Sequence, residues 1–335
     1  MYRWESPSLG AFLFKPRKFR IRQHGSQRID MRVRVLGSAA GGGFPQWNCN
    51  CPNCDGVRKG TINAKRRTQS SITVSSDDVN WLLFNTSPDI LTQFQQFPEL
   101  QPARAIRDTA VKSIVLMDAQ IDHTTGLFML REGKTPLNIY CTDMVYEDLT
   151  TGNPIFKILE HYCGVTWHQI PTSPGSSFTP EGIDGIKVSA VPLTSKAPPY
   201  SPHRHDPHEG DNLGIFLEDD KSGKKVFYAP GLGEIETHIK PFMEAADCLM
   251  VDGTCWTNDE MKALGIANKM SLDMGHLPQS GPGGMLEVLR ELPASKKVLI
   301  HINNTNPILR EDSDQRKILD GEGIEVAFDG MDFVV

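Results

Sequence analysis

An acidic and histidine-containing segment follows one of the apolar runs of the chain. The run from 113 to 117 is strand-like, and it leads directly into Asp118-Ala119-Gln120-Ile121-Asp122-His123. Open α/β sheets keep their reactive groups at such strand ends. Taken alone, Asp118 is better explained as a helix cap, whereas the adjacent pair Asp122 and His123 favours a metal site. The segment therefore predicts a soluble metalloprotein whose chemistry is centred here.

Three cysteines lie within six positions, at Cys49, Cys51 and Cys54. Zinc binds thiolates in tetrahedral sets with this close spacing, and Cys49 and Cys51 are too near each other for an easy disulfide. We expect a structural zinc here, with oxidative pairing or chance clustering as the alternatives, and the fourth ligand stays open. The other cysteines are expected to be buried packing residues: Cys141, Cys163, Cys248 and Cys255.

The composition is that of an ordinary globular protein. Of the 335 residues, 39% are apolar and 23% are charged, which argues against disorder as the default. The apolar runs are strand-sized, as at Val298–Ile302, and fall far short of the roughly 18 residues of a membrane helix. We therefore expect no membrane insertion.

Positive charge is concentrated at the start of the chain. Residues 1–30 hold seven Lys and Arg against two acidic residues, a balance of +5 that leaves −11 for the rest of the −6 total. An acidic body disfavours nucleic acid as a partner. The basic residues follow the short apolar run 9–14 instead of preceding it, which is not the order of a secretory signal. With the cysteine spacing of a metal site, this predicts a cytoplasmic location.

Residues 31–335 are predicted to form one mixed α/β domain, because strand-like runs and helical patterns alternate without a repeat or long linker. Residues 1–30 are interpreted as a disordered tail or a misassigned start rather than a functional arm. The predicted strands are 31–36, 71–74, 81–84, 113–117, 138–141, 186–191, 248–251 and 298–302, with a hairpin at 212–217 and 225–228 and helices at 155–162, 235–246 and 284–292.

Four segments together resemble a known family. Asp118–His123 (DAQIDH) resembles the His-x-His-x-Asp-His motif of the metallo-β-lactamase fold, with Asp118 and Gln120 where the first two histidines belong. With Leu36–Cys51 (LGSAAGGGFPQWNCNC), Ala197–Arg204 (APPYSPHR) and Met274–Gly281 (MGHLPQSG), the chain from Met31 onwards is similar to the pyrroloquinoline quinone (PQQ) biosynthesis protein B family. The resemblance implies an α/β fold, a metallo-β-lactamase-like four-layer αββα sandwich with metal at one edge of its two sheets.

The resemblance also implies a ligand set. In this fold the last metal histidine ends a late strand, and His301 occupies that place, although a histidine in an apolar strand is otherwise as easily a core residue. The bridging carboxylate of two-metal hydrolases would fall within Tyr228–Gly233, which offers none. The remaining set is Asp122, His123 and His301. Relatives with the same cysteine motif complete their zinc site with a histidine three residues after the position of His301. This chain has Asn304 at that place.

Two histidines and one carboxylate on one face of a metal are typical of non-haem Fe(II) oxygenases. Together with the family resemblance, this set predicts an Fe(II)- and O2-dependent hydroxylase acting on the tyrosine ring of a cross-linked Glu-Tyr amino acid. Asp118 and Gln120 are expected to support the ligands or to act as auxiliary ligands. His276 lies in a loop that supplies an acid or base in relatives, although a structural loop histidine is nearly as well supported.

A Pro-rich loop after the strand near 188–193 carries His203, Arg204, His205 and His208. Most such loops are simply solvated, but an amino-acid substrate carries carboxylates, so His203 and Arg204 are candidate substrate-binding residues. A second transition-metal site in this loop is a further alternative. Asp89 is expected to be a helix cap first and a site residue second.

Two other functions stay open at the level of sequence. A zinc-dependent hydrolase is favoured by the fold and opposed by the missing ligands. A non-enzymatic carrier would bind the quinone or its precursor and assist its transport to the periplasm. Oxygen and nitrogen ligands accept several divalent metals, so the native metal is not fixed, and a structural zinc near the surface is compatible with a homodimer contact.

Overall fold

A computed structural model describes residues 29–335, and so the predicted N-terminal extension lies outside the described residues except for Ile29 and Asp30. Thirteen strands occur within this described part of the chain. They are β1 (Arg32–Gly37), β2 (Ser71–Ser75), β3 (Trp81–Phe84), β4 (Val111–Val115), β5 (Leu137–Cys141), β6 (Val165–Gln169), β7 (Ile186–Pro192), β8 (Leu213–Asp219), β9 (Lys225–Ala229), β10 (Cys248–Asp252), β11 (Lys296–Ile300), β12 (Ile324–Val326) and β13 (Asp332–Val334).

The strands form two sheets. One has seven strands in the order β13-β1-β2-β3-β4-β5-β6, and the other has six in the order β12-β11-β10-β9-β8-β7. The neighbours from β3 to β6 run parallel, as do those from β9 to β12, whereas β7, β8 and β9 are antiparallel. Because β10 and β11 are parallel neighbours, their carboxyl ends lie at the same edge of the second sheet. The carboxyl end of β4 lies in the parallel part of the first sheet. Reactive groups are expected at such ends.

Nine α-helices lie within residues 29–335, and all of them are short. They are α1 (Pro52–Lys59), α2 (Ile90–Gln95), α3 (Ile121–Thr124), α4 (Asp143–Thr150), α5 (Ile155–Leu159), α6 (Lys240–Ala245), α7 (Glu260–Ala263), α8 (Met285–Glu291) and α9 (Asp314–Gly321). None of the helices in this range is long and apolar enough to cross a membrane.

Three apolar cores give the molecule its four layers. The strand β3 shows why, since Leu82 and Phe84 pack in the core between the sheets while Trp81 and Leu83 pack in the core on the other face of the same sheet. A strand that is buried on both faces must be apolar at every position. A third core lies on the outer face of the second sheet and includes Met285 of α8. The four-layer αββα sandwich is thereby confirmed.

Several predicted elements have different bounds in the structure. The helix expected over 235–246 is wrong in its first part, because α6 spans only Lys240–Ala245. Pro241 lies in the first turn of α6, where its missing N–H costs no hydrogen bond, whereas in the interior of a helix over 235–246 it would remove one. The side chain of Glu236, in the preceding segment, accepts hydrogen bonds from the backbone and hydroxyl of Thr194. The cysteine segment is not simply a loop, since Cys51 caps α1 and Cys54 lies within it. Pro52 at the first helical position and Gly60 in a left-handed conformation mark the ends of this helix.

Candidate metal centre

Three predicted ligands meet where the two sheets come together. Asp122 and His123 lie in α3, which follows β4 of the first sheet, and His301 directly follows β11 of the second. The Asp122 Oδ2 atom is 3.4 Å from His301 Nε2 and 3.7 Å from His123 Nε2, and one atom of each residue lies within 4.8 Å of the others. Gly41 leaves room for the carboxylate, because a Cβ atom there would lie 3.2 Å from Asp122 Oδ2.

His123 is oriented by Asp118. Its Nδ1 atom is 2.8 and 2.9 Å from the two Asp118 oxygens, so Nδ1–H donates to the carboxylate and Nε2 of the neutral ring is left as a free lone pair. The Nε2 atom is buried and has no hydrogen-bond partner, a costly state unless a metal ligates it. The expectation that Asp118 is a helix cap is wrong, because the cap position of α3 is Gln120, whose backbone N–H donates to Asp118.

His301 is held by a hydroxyl and an unusual backbone conformation. Its φ is +61°, which is uncommon for a residue other than glycine and is concentrated at functional sites. The Thr254 hydroxyl donates to the His301 carbonyl at 2.9 Å and lies 3.0 Å from His301 Nδ1. With its proton directed to the carbonyl, the hydroxyl oxygen accepts from Nδ1–H. The Nε2 atom of His301 is therefore available on the side of Asp122.

His276 reaches the same place from the 274–281 segment. Its Nδ1 atom is 2.5 Å from Asp252 Oδ2, and its ring stacks on that of His301 with 5.2 Å between centroids. Asp252 ends β10, is fully buried, and also accepts the backbone N–H groups of Leu232 and Thr254. Sequence reasoning missed Asp252 and Thr254, although a polar pair after an apolar strand is the same signal that identified Asp122.

Opposing electrostatic effects act on these groups. Burial disfavours the charged carboxylate of Asp122, but His123 and His301 outweigh this effect and lower its pKa. Burial disfavours the charged ring of His123, but Asp118 and Asp122 raise its pKa to about 9. The pKa of His276 is also raised, because the attraction of Asp252 exceeds the penalty of burial. The carboxylates therefore stabilise positive charge on the rings of His123 and His276. At His123, a metal cation bound to Nε2 would take the place of the second ring proton and leave the neutral, Nδ1-protonated ring as the ligand.

The donor set fits one metal ion with two imidazoles and one carboxylate. Among residues 29–335, the only groups of three or more His, Cys, Asp or Glu arranged to hold a metal are this cluster and the three cysteines. Asp118 and Asp252 use their carboxylates on histidines and backbone N–H groups. Within residues 29–335, the cluster therefore has no further free carboxylate that could bridge a second metal.

The cysteine cluster is the second candidate metal site. The sulfur atoms of Cys49, Cys51 and Cys54 lie within 4.8 Å of one another, and all three cysteines are free of disulfides. Cys51 and Cys54 are buried, and the Cys54 backbone N–H donates to the Cys51 sulfur at 3.5 Å. Three convergent thiols at the start of α1 fit a structural zinc. Of the other cysteines, Cys141, Cys248 and Cys255 are buried as expected, whereas Cys163 is half-buried.

Two of the remaining predicted site residues, His203 and Arg204, have partners within the protein. His203 Nε2 is 2.7 Å from Asp211 Oδ1, and Arg204 donates to the Ala197 carbonyl. The Tyr200 hydroxyl donates to the Ala119 carbonyl and ties this loop to the metal-binding segment. Gln120 is partly exposed beside Asp122 and makes no side-chain cap bond.

Asp89 occupies the cap position of α2, but its side chain does not cap the helix. The carboxylate instead accepts the backbone and side-chain N–H groups of Gln69. The expectation of a capping role is therefore wrong for the side chain.

Comparison with known proteins agrees with this architecture. Residues 80–302 match the beta-lactamase superfamily domain. The chain is 67% identical over 305 residues to coenzyme PQQ synthesis protein B of Methylobacillus flagellatus and 64% identical over 302 residues to that of Azoarcus sp., covering 91% and 90% of this chain and 100% and 99% of the relatives.

Solved structures give the same result. The zinc-bound PqqB from Methylobacterium extorquens superposes with a TM-score of 0.82 at 33% identity, covering 91% of this chain and all of that one. A diphosphatase of the PhnP family superposes with a TM-score of 0.64 at 18% identity, covering 91% and 97%, which shows the shared fold alone. The chain therefore belongs to the coenzyme PQQ synthesis protein B family, within the beta-lactamase superfamily.

Proposed function

We propose that this protein acts in PQQ biosynthesis as an Fe(II)- and O2-dependent hydroxylase of the tyrosine ring of a cross-linked Glu-Tyr precursor. The observation that carries the proposal is the cluster of Asp122, His123 and His301, in which two Nε2 atoms and one carboxylate oxygen converge. Family membership supports the pathway. The ligand types support oxygen chemistry over hydrolysis, because a hydrolase of this fold would use more ligands and a second metal.

Fe(II) held by two imidazoles and one carboxylate keeps coordination positions open and supplies the chemistry of dioxygen activation. The protein's own contribution is to fix the ligands. Asp118 fixes the ring of His123, and Thr254 fixes the ring of His301. Such partners keep the Nε2 lone pairs directed at the metal and make the imidazoles better donors.

His276 is proposed as the residue that moves protons. Its Nδ1–H is bound to the buried Asp252, so the exchangeable position is Nε2. We propose that Nε2 accepts the phenolic proton of the substrate as electron density shifts into the tyrosine ring. The raised pKa of His276 allows the ring to hold that proton until the product forms.

Substrate binding is proposed to involve the loop that carries His203 and Arg204. The Tyr200 bond to Ala119 fixes this loop to the metal-binding segment, and an Arg side chain suits the carboxylates of an amino-acid substrate. Arg204 already donates to the Ala197 carbonyl through Nη1, so carboxylate binding would use its other N–H groups.

The reaction inserts one oxygen atom of O2 into a ring C–H bond and reduces the other to water, which requires two electrons from an added reductant such as ascorbate. We expect protein reconstituted anaerobically with Fe(II) to convert the cross-linked Glu-Tyr compound into a product that carries 18O from 18O2. Hydrolysis of a generic phosphodiester by zinc-loaded protein, with no hydroxylation of the Glu-Tyr compound by the Fe(II)-loaded protein, would favour the hydrolase. Tight binding of the quinone without turnover would favour the carrier.

The control for this experiment is a histidine outside the cluster. His238 is exposed and contacts the Pro192 carbonyl, so His238→Ala should retain full hydroxylation. His301→Ala should abolish it, because one of the converging Nε2 atoms is lost. A His301→Ala protein with unchanged turnover would exclude the proposed ligand set.

A further inference from the structure

The side-chain amide of Asn304 points into the cysteine cluster. Its Nδ2 atom is 3.1 Å from the Cys49 sulfur, 3.4 Å from that of Cys54 and 3.6 Å from that of Cys51. Asn304 is 4% exposed. One terminal amide atom therefore lies against all three sulfur atoms.

Hydrogen bonding alone does not account for this arrangement. An amide nitrogen carries two hydrogens, and so it cannot donate fully to three sulfur atoms at once. The distances instead resemble the edges of a coordination tetrahedron. With Zn–S near 2.3 Å and Zn–O near 2.1 Å, a tetrahedral angle places sulfur and oxygen about 3.6 Å apart.

We propose that the side-chain amide oxygen of Asn304 is the fourth ligand of a zinc ion held by Cys49, Cys51 and Cys54. The inference rests on the structural zinc that the cysteine motif predicts. A half-turn of the amide exchanges Oδ1 and Nδ2 with almost no change in the position of the terminal atoms. With thiols, the nitrogen faces the sulfurs as a donor; with thiolates and a cation, the oxygen takes its place.

The surrounding contacts hold Asn304 in position before a metal binds. The side chain of Asn53, which lies in α1 between Cys51 and Cys54, donates to the backbone carbonyls of Asn304 at 3.2 Å and of Asn306 at 2.9 Å. The helix that Cys51 caps and that contains Cys54 is thereby joined to the turn that carries the proposed fourth ligand. Preorganisation of this kind is expected of a structural site.

The position of Asn304 connects the two metal sites. Asn304 lies three residues after His301, within the same buried turn. A zinc ion bound through Asn304 would fix this turn at one end, while Thr254 fixes it at the other through His301.

The test uses the full chain and Co(II) as a probe. Tetrahedral Co(II) bound to thiolates gives a near-ultraviolet charge-transfer band that reports the cysteine site and not the Asp122 cluster, and zinc affinity follows from displacement of this band. Asn304→Ala should bind zinc at least about tenfold more weakly than the unmodified protein, with altered visible Co(II) bands. The matched control is Asn303→Ala, since Asn303 donates to the Met261 thioether and the Thr305 hydroxyl and to none of the three cysteine sulfurs. This variant should retain the affinity.

Asn304→Asp separates a ligand from a donor. If the side-chain oxygen ligates zinc, the isosteric carboxylate binds zinc at least as tightly as Asn304 does; if the amide only donates to thiolates, the carboxylate repels them and zinc binding weakens tenfold or more. The latter result, or an affinity of Asn304→Ala within twofold of the unmodified protein, would overturn the inference while leaving the structural zinc intact. Absence of the thiolate band in the unmodified protein would overturn the structural zinc as well.

Discussion

The two candidate ligand histidines have different partners at Nδ1. His123 is bonded to the carboxylate of Asp118, and His301 to the hydroxyl of Thr254. The carboxylate brings a negative charge to a buried ring, and this charge contributes to the raised pKa of His123. Asp118 is therefore expected to strengthen the metal site without touching the metal.

Asp118→Asn removes this charge and leaves all three ligands in place. We expect Fe(II) affinity to fall by about 10- to 100-fold, because the ring of His123 becomes a weaker donor and is less firmly oriented. Isothermal titration of the anaerobic protein with Fe(II) measures the change. The matched control is Asp211→Asn, which alters another carboxylate–histidine pair, that of Asp211 with His203. Equal Fe(II) affinities for Asp118→Asn and the unmodified protein would contradict the assigned role.

The ligand residues that the sequence predicts are close together in the chain, whereas the roles of Asp252 and Asn304 depend on partners far away in the sequence. Asp122 and His123 are adjacent after a strand, and the cysteines fall within six positions. The role of Asp252 depends on its contact with His276, which lies 24 residues later. The role of Asn304 depends on its contacts with cysteines about 250 residues earlier. Contacts of this length depend on how the two sheets pack, and no periodicity in the sequence encodes them.

At the level of elements, strand cores were predicted better than helices. Apolar runs such as β3 are bounded by polar residues and were placed correctly. The short helices α1 and α4 were missed, because each spans only eight residues and carries little of the apolar periodicity of longer helices. The chemistry of their ends was nevertheless present, with Thr142 capping α4 through the backbone N–H of Val145.

A buried acid joins α7 to the turn after His301. Glu260 accepts hydrogen bonds from Thr305 and from the backbone of Trp256. Burial, only partly offset by these bonds, raises the pKa of Glu260 to about 7 from its ordinary value of 4.5. The folded state therefore binds the proton more tightly than the unfolded state does.

This pKa gives the fold a definite pH dependence. The contribution of Glu260 to the free energy of unfolding is fully present below pH 4.5 and is lost as the pH rises through about 7, with a total of up to about 3 kcal/mol. Glu260→Gln mimics the protonated acid and should flatten this part of the profile. Urea denaturation at pH 5 and pH 8 measures it. Identical pH dependence in Glu260→Gln and the unmodified protein would refute the assignment.

At the scale of the whole molecule, the candidate active site exists only when the two sheets are packed together. The first sheet supplies Asp122 and His123, and the second supplies His301. An unfolded chain does not hold these ligands together, and so the metal binds the folded state selectively. Metal binding is therefore linked to the stability of the sandwich.

Metal removal is accordingly expected to lower the melting temperature. A ligand at 100 times its Kd contributes about 2.7 kcal/mol to the free energy of unfolding, which corresponds to a shift of several degrees. Calorimetry of chelator-treated and Fe(II)-reconstituted protein measures the shift. In Asp122→Ala, the increase in melting temperature caused by Fe(II) should largely disappear, whereas in His238→Ala it should persist. A full increment in Asp122→Ala would place the Fe(II) elsewhere.

The central claim is that the Asp122, His123 and His301 cluster binds one Fe(II) for oxygen chemistry. The most direct measurement is oxygen uptake by protein reconstituted with Fe(II), in the presence of reductant, with and without the cross-linked Glu-Tyr compound. We predict uptake that depends on this substrate, matches product formation, and is lost in both Asp122→Ala and His301→Ala. An Fe(II)-loaded protein that consumes no oxygen with the substrate, or variants that consume it at the unmodified rate, would contradict the account.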